Sequence, residues 1–355
     1  MGNVAVPLQE EPALAEFTDS VRREQAISWY RTPLPPGELK ALHARSDGRG
    51  AAQTLGYLGI LCATGGGALW AAGHAPWWVT LLLVYLHGMV TCFTINGMHE
   101  LGHNTVFRTR ALNNVFCHVL SFLGWHNHET FQASHTRHHR YTLHPPEDLE
   151  VTLPMRMVVW HMFRNGIANP GACWNTLKNT WRIACGRFQG EWELTLFPPA
   201  ALEKRRALVR WARVLLGGHG AILLVSLWFG WWLVPVVVSL APFYGKWLFE
   251  LCNNTQHVGL QDNVDDFRLC CRTFTLHPVV RFLYWQMNYH TEHHMYAVVP
   301  CYHLGRLHRL IEHDLPPTPH GLRAVWREIS AIVARQEREP GYRHVVALPP
   351  PRKAV

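Results

Sequence analysis

The chain has 355 residues, of which 48% are apolar and only 16% charged. That is well under the roughly 25% charge of ordinary soluble domains and argues against that class. A formal charge of +8 fits either a nucleic-acid binder or a protein at an anionic membrane face, and the placement of the charge decides between them. Nine cysteines without a CxxC pair exclude a small disulfide scaffold and read as reduced, mostly buried thiols.

In chain order, residues 1–50 form a polar N-terminal segment. Glu10, Glu11, Glu16 and Asp19 precede any apolar run, which is not the pattern of a cleavable signal peptide. From Ala51 to His99 there is no Asp, Glu, Lys or Arg. These 49 residues are enough for two helices of about 20 residues each, the length that crosses the hydrocarbon core of a bilayer. The break falls at Gly73-His74-Ala75-Pro76 and is followed by Trp77-Trp78, so residues 51–98 read as a first transmembrane hairpin. Residues 99–210 read as a helical cap with loops at Pro145-Pro146, Pro170-Gly171 and Pro198-Pro199. A second uncharged run, Val214 to Gly245, breaks at Gly230 before Trp231-Trp232. It makes 211–252 a second hairpin, although 32 residues are tight for two spans and a partly re-entrant hairpin is the alternative. Residues 253–338 return to the cap, with an amphipathic helix near Leu322–Arg338, and 339–355 form a Pro-rich tail that reads as disordered. The expected fold is all-α and integral to the membrane: four transmembrane helices in two hairpins under a cytoplasmic cap.

All 33 Lys and Arg avoid the two Trp-tipped turns. Cationic loops stay cytoplasmic and indoles favour the interface, so both termini and the segment 99–210 are expected on the cytoplasmic side. The basic charge is then a topology signature, and nucleic acid is not an expected partner.

The chain carries 24 histidines, and four groups of them stand out. His99-Glu100-Leu101-Gly102-His103 ends the second apolar stretch. His135-Thr136-Arg137-His138-His139 and His290-Thr291-Glu292-His293-His294 follow, and Asn253-Asn254-Thr255-Gln256-His257 comes directly after the last uncharged run. Residues spaced by three or four share one helix face. Four helices carrying these groups can thus converge on one point with nine imidazoles and an amide. One tetrahedral zinc takes four ligands, so the supply fits two metal ions. Imidazole suits Zn, Cu, Fe and Ni alike and does not name the metal. Glu100, Glu292 and Asp148 are candidates to orient ligand imidazoles from behind. His43, His74, His87, His118, His161, His219, His320 and His344 are isolated and read as structural or solvated, and His126 and His128 as part of a polar turn.

Two other readings compete. His99-Glu100-x-x-His103 matches the H-E-x-x-H motif of zinc proteases, with the glutamate as general base, but leaves both HxxHH groups without a role. The soluble di-iron bundle pattern needs two Glu-x-x-His pairs, and Glu100-x-x-His103 is the only one in the chain.

HxxxH, HxxHH and HxxHH in this order, interleaved with two apolar hairpins from about Leu34 to Leu315, resemble the membrane fatty-acid desaturase and hydroxylase superfamily. The resemblance implies two irons and O2 as co-substrate. It implies eight ligands from His99, His103, His135, His138, His139, His290, His293 and His294, a ninth from His257, and a water-bridged amide from Asn253. HELGHNTVF, NNTQHVGL and NYHTEHHMYAVVP are similar to bacterial desaturase-like oxygenases such as the rhizopine-catabolism oxygenase, which implies a bacterial inner membrane. That subgroup pairs with a Rieske-type ferredoxin and is implicated in demethylating a polar substrate.

No iron–sulfur cysteine array, GxGxxG context or fused cytochrome b5 motif is found. A separate electron donor with its reductase is therefore expected: a ferredoxin, a Rieske-type ferredoxin or cytochrome b5. The expected function is O2-dependent hydrogen abstraction from an unactivated C–H bond, giving desaturation or hydroxylation of a lipid acyl chain. The alternatives are oxidative demethylation of a small methylated polar substrate, a membrane zinc protease, and a non-catalytic metal-binding membrane protein.

Overall fold

The computed structural model describes residues 27–153, 159–339 and 342–350, and only the backbone of residues 36 and 159–161. The N-terminal acids at 10, 11, 16 and 19, the His161 side chain and the last five residues of the tail lie outside this range. Among the described residues every regular element is a helix.

Helix Asp47–His74 starts where Ser46 Oγ accepts from the Arg49 amide at 3.3 Å, satisfying an otherwise orphan N-terminal donor. It ends at Ala75-Pro76, as the sequence places it, and Trp77–Thr91 begins at once. A short break at Cys92-Phe93 leads into Thr94–Gly102, so that Trp77–Gly102 behaves as one apolar helical run. Leu202–Trp228 is the third helix long and apolar enough to cross a membrane. At 27 residues it reaches about 40 Å, of which the bilayer core needs about 30. Leu81, Leu82, Leu224, Leu227 and Trp228 stand exposed on these elements, an apolar surface too extended for a water-facing protein.

A fourth helix of spanning length is not found among the described residues, in contrast to the two complete hairpins expected. After the turn at Phe229–Trp232 the chain returns in pieces: Leu233–Val238, a 3-10 turn at Ala241–Phe243, and Trp247–Asn253. Pro235 and Pro242 lack amide donors, and Gly245 adopts φ 69°, a conformation that favours glycine. Irregular backbone at membrane depth survives only where protein satisfies its polar groups, and here it does. His87 Nε2–H donates to the Val237 carbonyl at 3.0 Å, the Trp125 indole to that of Ser239 at 2.7 Å, and the Asn169 amide to that of Phe243 at 2.7 Å. His87 and His219 thus have the structural roles expected of them; His219 donates to the Phe122 carbonyl and stacks 4.0 Å from Trp125.

Pro170 corrects another expectation. It opens helix Pro170–Ala184 instead of a loop, with Asn169 Oδ1 accepting from the Ala172 amide at 2.8 Å; the first helical turn needs no proline N–H. The amphipathic helix near 322–338 is present as Gly321–Arg338. The described tail residues 342–350 have no regular structure, and the His344 carbonyl accepts from Gln261 Nε2. All nine cysteines are free.

Candidate metal centre

Four chain segments bring histidine to the end of the run Trp77–Gly102. Thr94–Gly102 carries His99, with His103 as its C-terminal cap. His128–Tyr141 carries His135, His138 and His139, and the six-residue helix His290–Met295 carries the third box. His257 departs from the sequence reading in one respect: its helix stops at Asn253, and the turns that follow, not an i to i+4 helical register, present the ring.

The nine imidazoles form two groups. His99, His103, His135, His139 and His293 make the first, and His138, His257, His290 and His294 the second; within each, the ligand nitrogens all lie within 4.8 Å of one another. Each HxxHH box is split between the groups. His135 and His139, one turn apart, go to the first, and His138 goes to the second.

Hydrogen bonds behind the rings decide which nitrogen faces inward. His138 Nδ1 is 2.8 Å from Asp148 Oδ2, His135 Nδ1 is 2.8 Å from Glu150 Oε1, and His257 Nδ1 is 2.8 Å from the Cys270 carbonyl. Carbonyls and carboxylates only accept, so each Nδ1 donates and each Nε2 carries a lone pair. Thr142 spends its hydroxyl proton on the His138 carbonyl, so its Oγ1 accepts from His294 Nδ1 at 3.1 Å and fixes that ring too. Inside the second group His290 Nε2 stands 2.9 Å from His257 Nε2 and 3.1 Å from His294 Nε2. In the first, the Nε2 atoms of His103 and His135 are buried without a partner. Unpaired buried nitrogens are costly, and lone pairs facing one another this closely suit a cation between them. The residues therefore fit a metal in each group.

Burial tunes the same atoms. It holds the His103 and His257 imidazoles down to about 3, with the neighbouring His99 and His138 charges adding to the effect. His135, His139, His290, His293 and His294 are pushed well below the ordinary histidine range, chiefly by burial. Neutral imidazole is the ligating form. For His138, burial is outweighed by the Asp148 carboxylate, which raises it.

Of the three acids expected behind the rings, Asp148 holds the His138 Nδ1. Glu100, 1% exposed, lies behind the rings, 2.9 Å from His99 Nδ1 and 3.7 Å from His293 Nδ1. It does not reach the adjoining cavity, where a protease's general base must meet water. Glu292 instead faces the Thr273 hydroxyl and His308 Nδ1, away from both groups. Glu150, Thr142 and the Cys270 carbonyl were not anticipated; Glu150 had a signal in the acidic stretch Glu147-Asp148-Leu149-Glu150 after the second box.

A cavity of about 540 Å³ touches both groups through His99, His135, His138, His257 and His290. Asn253 and His126 line it as well, as do Asn96, Asn127 and Gln256 and the apolar Ile95, Phe131 and Met287. His128 packs instead on His118 and Trp211.

A model of the family described as fatty acid desaturase matches residues 75–326, which takes in all nine histidines. A human sphingolipid delta(4)-desaturase/C4-monooxygenase is 24% identical over 271 residues, covering 73% of this chain and 75% of that protein. With the match spanning most of the chain and the three apolar helices beside it, this integral-membrane oxidoreductase belongs to the fatty acid desaturase family.

Proposed function

We propose that the chain is an O2-dependent di-iron oxidoreductase that abstracts hydrogen from an unactivated C–H bond, desaturating or hydroxylating a lipid acyl chain. The observation that carries this reading is the division of nine inward-facing histidines into groups of five and four. One iron would be held by His99, His103, His135, His139 and His293. The other would be held by His138, His257, His290 and His294, with Asn253 reaching it through water. Imidazole and its availability to iron fit the family. Two irons held there supply O2 activation and hydrogen abstraction.

The chain's own residues do the rest. Asp148, Glu150, Thr142 and the Cys270 carbonyl keep the imidazoles aimed, and the cavity sets which C–H lies nearest. Loss of a second hydrogen yields a double bond, and insertion of oxygen yields an alcohol. The relative's name pairs these two outcomes. On this reading the site and both termini face the cytoplasm, which the cation-free turns support, and the membrane is a bacterial inner membrane, as the resemblance to bacterial oxygenases implies. Electrons come from a separate ferredoxin-type or cytochrome b5 donor with its reductase.

One observation favours a second substrate class. Asn96, Asn127, Asn253 and Gln256 line the cavity, and carboxamides suit a small methylated polar compound, as in the rhizopine-type oxygenases. Reconstitution with a reducing system under ¹⁸O2 separates the two. A new double bond or an ¹⁸O-labelled alcohol in an acyl chain supports the lipid reading. Formaldehyde released from an O- or N-methyl compound supports the other.

A further inference from the structure

The proposed chemistry needs electrons from outside, and one contact path leads inward. Trp29, half-buried, stacks on Phe267 with ring centroids 4.1 Å apart and planes 9° from parallel. Its position is fixed: Nε1–H donates to the Arg140 carbonyl at 2.9 Å, and the His144 ring meets the indole edge-on at 5.5 Å. Phe267 is fully buried, and its ring lies 5.5 Å from the imidazole of His294. Two ring contacts therefore join a partly exposed indole to the second histidine group. Neither ring lines the cavity, so this path leaves the substrate's space free. Another indole, Trp192, connects to His135 through hydrogen bonds by way of Ser134 and Glu150, both of which line the cavity.

We propose that Trp29 is the electron-entry residue and that the metal position of His138, His257, His290 and His294 is reduced through it. Electron tunnelling falls off exponentially with distance, and stacked rings shorten the gaps that it must cross. Each electron leaves a reduced one-electron carrier, which is thereby oxidised by one unit. It crosses Trp29 and Phe267 as a bridge without residing on either ring, and converts one ferric ion to ferrous. Two transfers reduce both irons. The inference rests on the two-iron reading.

The test injects electrons from a ruthenium tris-bipyridyl label on the iron-loaded, full-length chain, with ascorbate as sacrificial donor and Cys62, Cys173 and Cys185 replaced by serine. The label sits on Ser28→Cys, next to Trp29; a control chain keeps Ser28 and the native, exposed Cys185, replaces only Cys62 and Cys173, and carries the label on Cys185. Flash reduction followed by the loss of ferric absorbance should be about tenfold faster from position 28 than from position 185. Trp29→Leu and, separately, Phe267→Leu should abolish that advantage, and Trp29→Tyr should keep it. Reduction by dithionite should stay within about twofold in every variant, showing an intact centre. Equal rates from the two labels, or a rate from position 28 untouched by both leucine variants, would overturn the proposal. A parent protein that dithionite cannot bleach would overturn the two-iron reading beneath it.

Discussion

His138 and His257 are held from behind by groups of different origin, and this separates what the sequence shows from what it hides. HxxHH spacing places three rings on one helix face whatever surrounds them. The partners that set the tautomers do not follow any spacing: Glu150 lies 15 residues beyond His135, and Thr142 meets His294 across 152 positions. Removing His257 by alanine substitution should strip one metal position and abolish turnover, because it deletes one of the four imidazoles proposed to hold that metal. His43→Ala should do neither; elemental analysis and O2 uptake check both, and normal activity in His257→Ala would remove it from the ligand set. Asp148→Ala should lower metal affinity by about 10–100-fold, since it leaves His138 Nδ1–H without its acceptor. Competition against a chelator measures this, and unchanged affinity would mean that helix packing alone orients the ring.

At the scale of elements, the two long apolar runs were legible, and of the returning arm only that it was too short for a comfortable second span. Composition counts charges, and residues 214–245 contain none. Whether such a run forms one helix or fragments depends on Pro235, Pro242 and Gly245 and on carbonyl acceptors met by His87, Trp125 and Asn169 from distant segments. Gly88 lies where this arm crosses the second long helix. A Cβ there would overlap the Tyr244 ring and come 2.7 Å from its carbonyl oxygen. Gly88→Ala should therefore destabilise the protein by about 1–3 kcal/mol. Thermal unfolding in detergent should show a lowered midpoint, and an unchanged one would mean that the arm can shift freely. Reporter fusions at Ala75 and Gly230 should both appear on the side opposite the termini, because the cations avoid these turns. A cytoplasmic signal at Ala75 would contradict the orientation.

For the whole molecule, the parts converge on a division of labour: long helices hold the chain in lipid, three histidine boxes and one turn meet at their end, and a cavity opens against both histidine groups. The sequence singled out the nine histidines but not their partition, because splitting a single HxxHH box between two groups requires the other boxes' positions in space. The central claim is that both groups hold iron during turnover. Iron quantification on purified protein of known specific activity, repeated after chelation and stepwise reloading, tests it most directly. Activity should rise only as loading approaches about two irons per chain, since a closed four-ligand site would leave five imidazoles idle. Full activity at one metal per chain, or with zinc in place of iron, would contradict it.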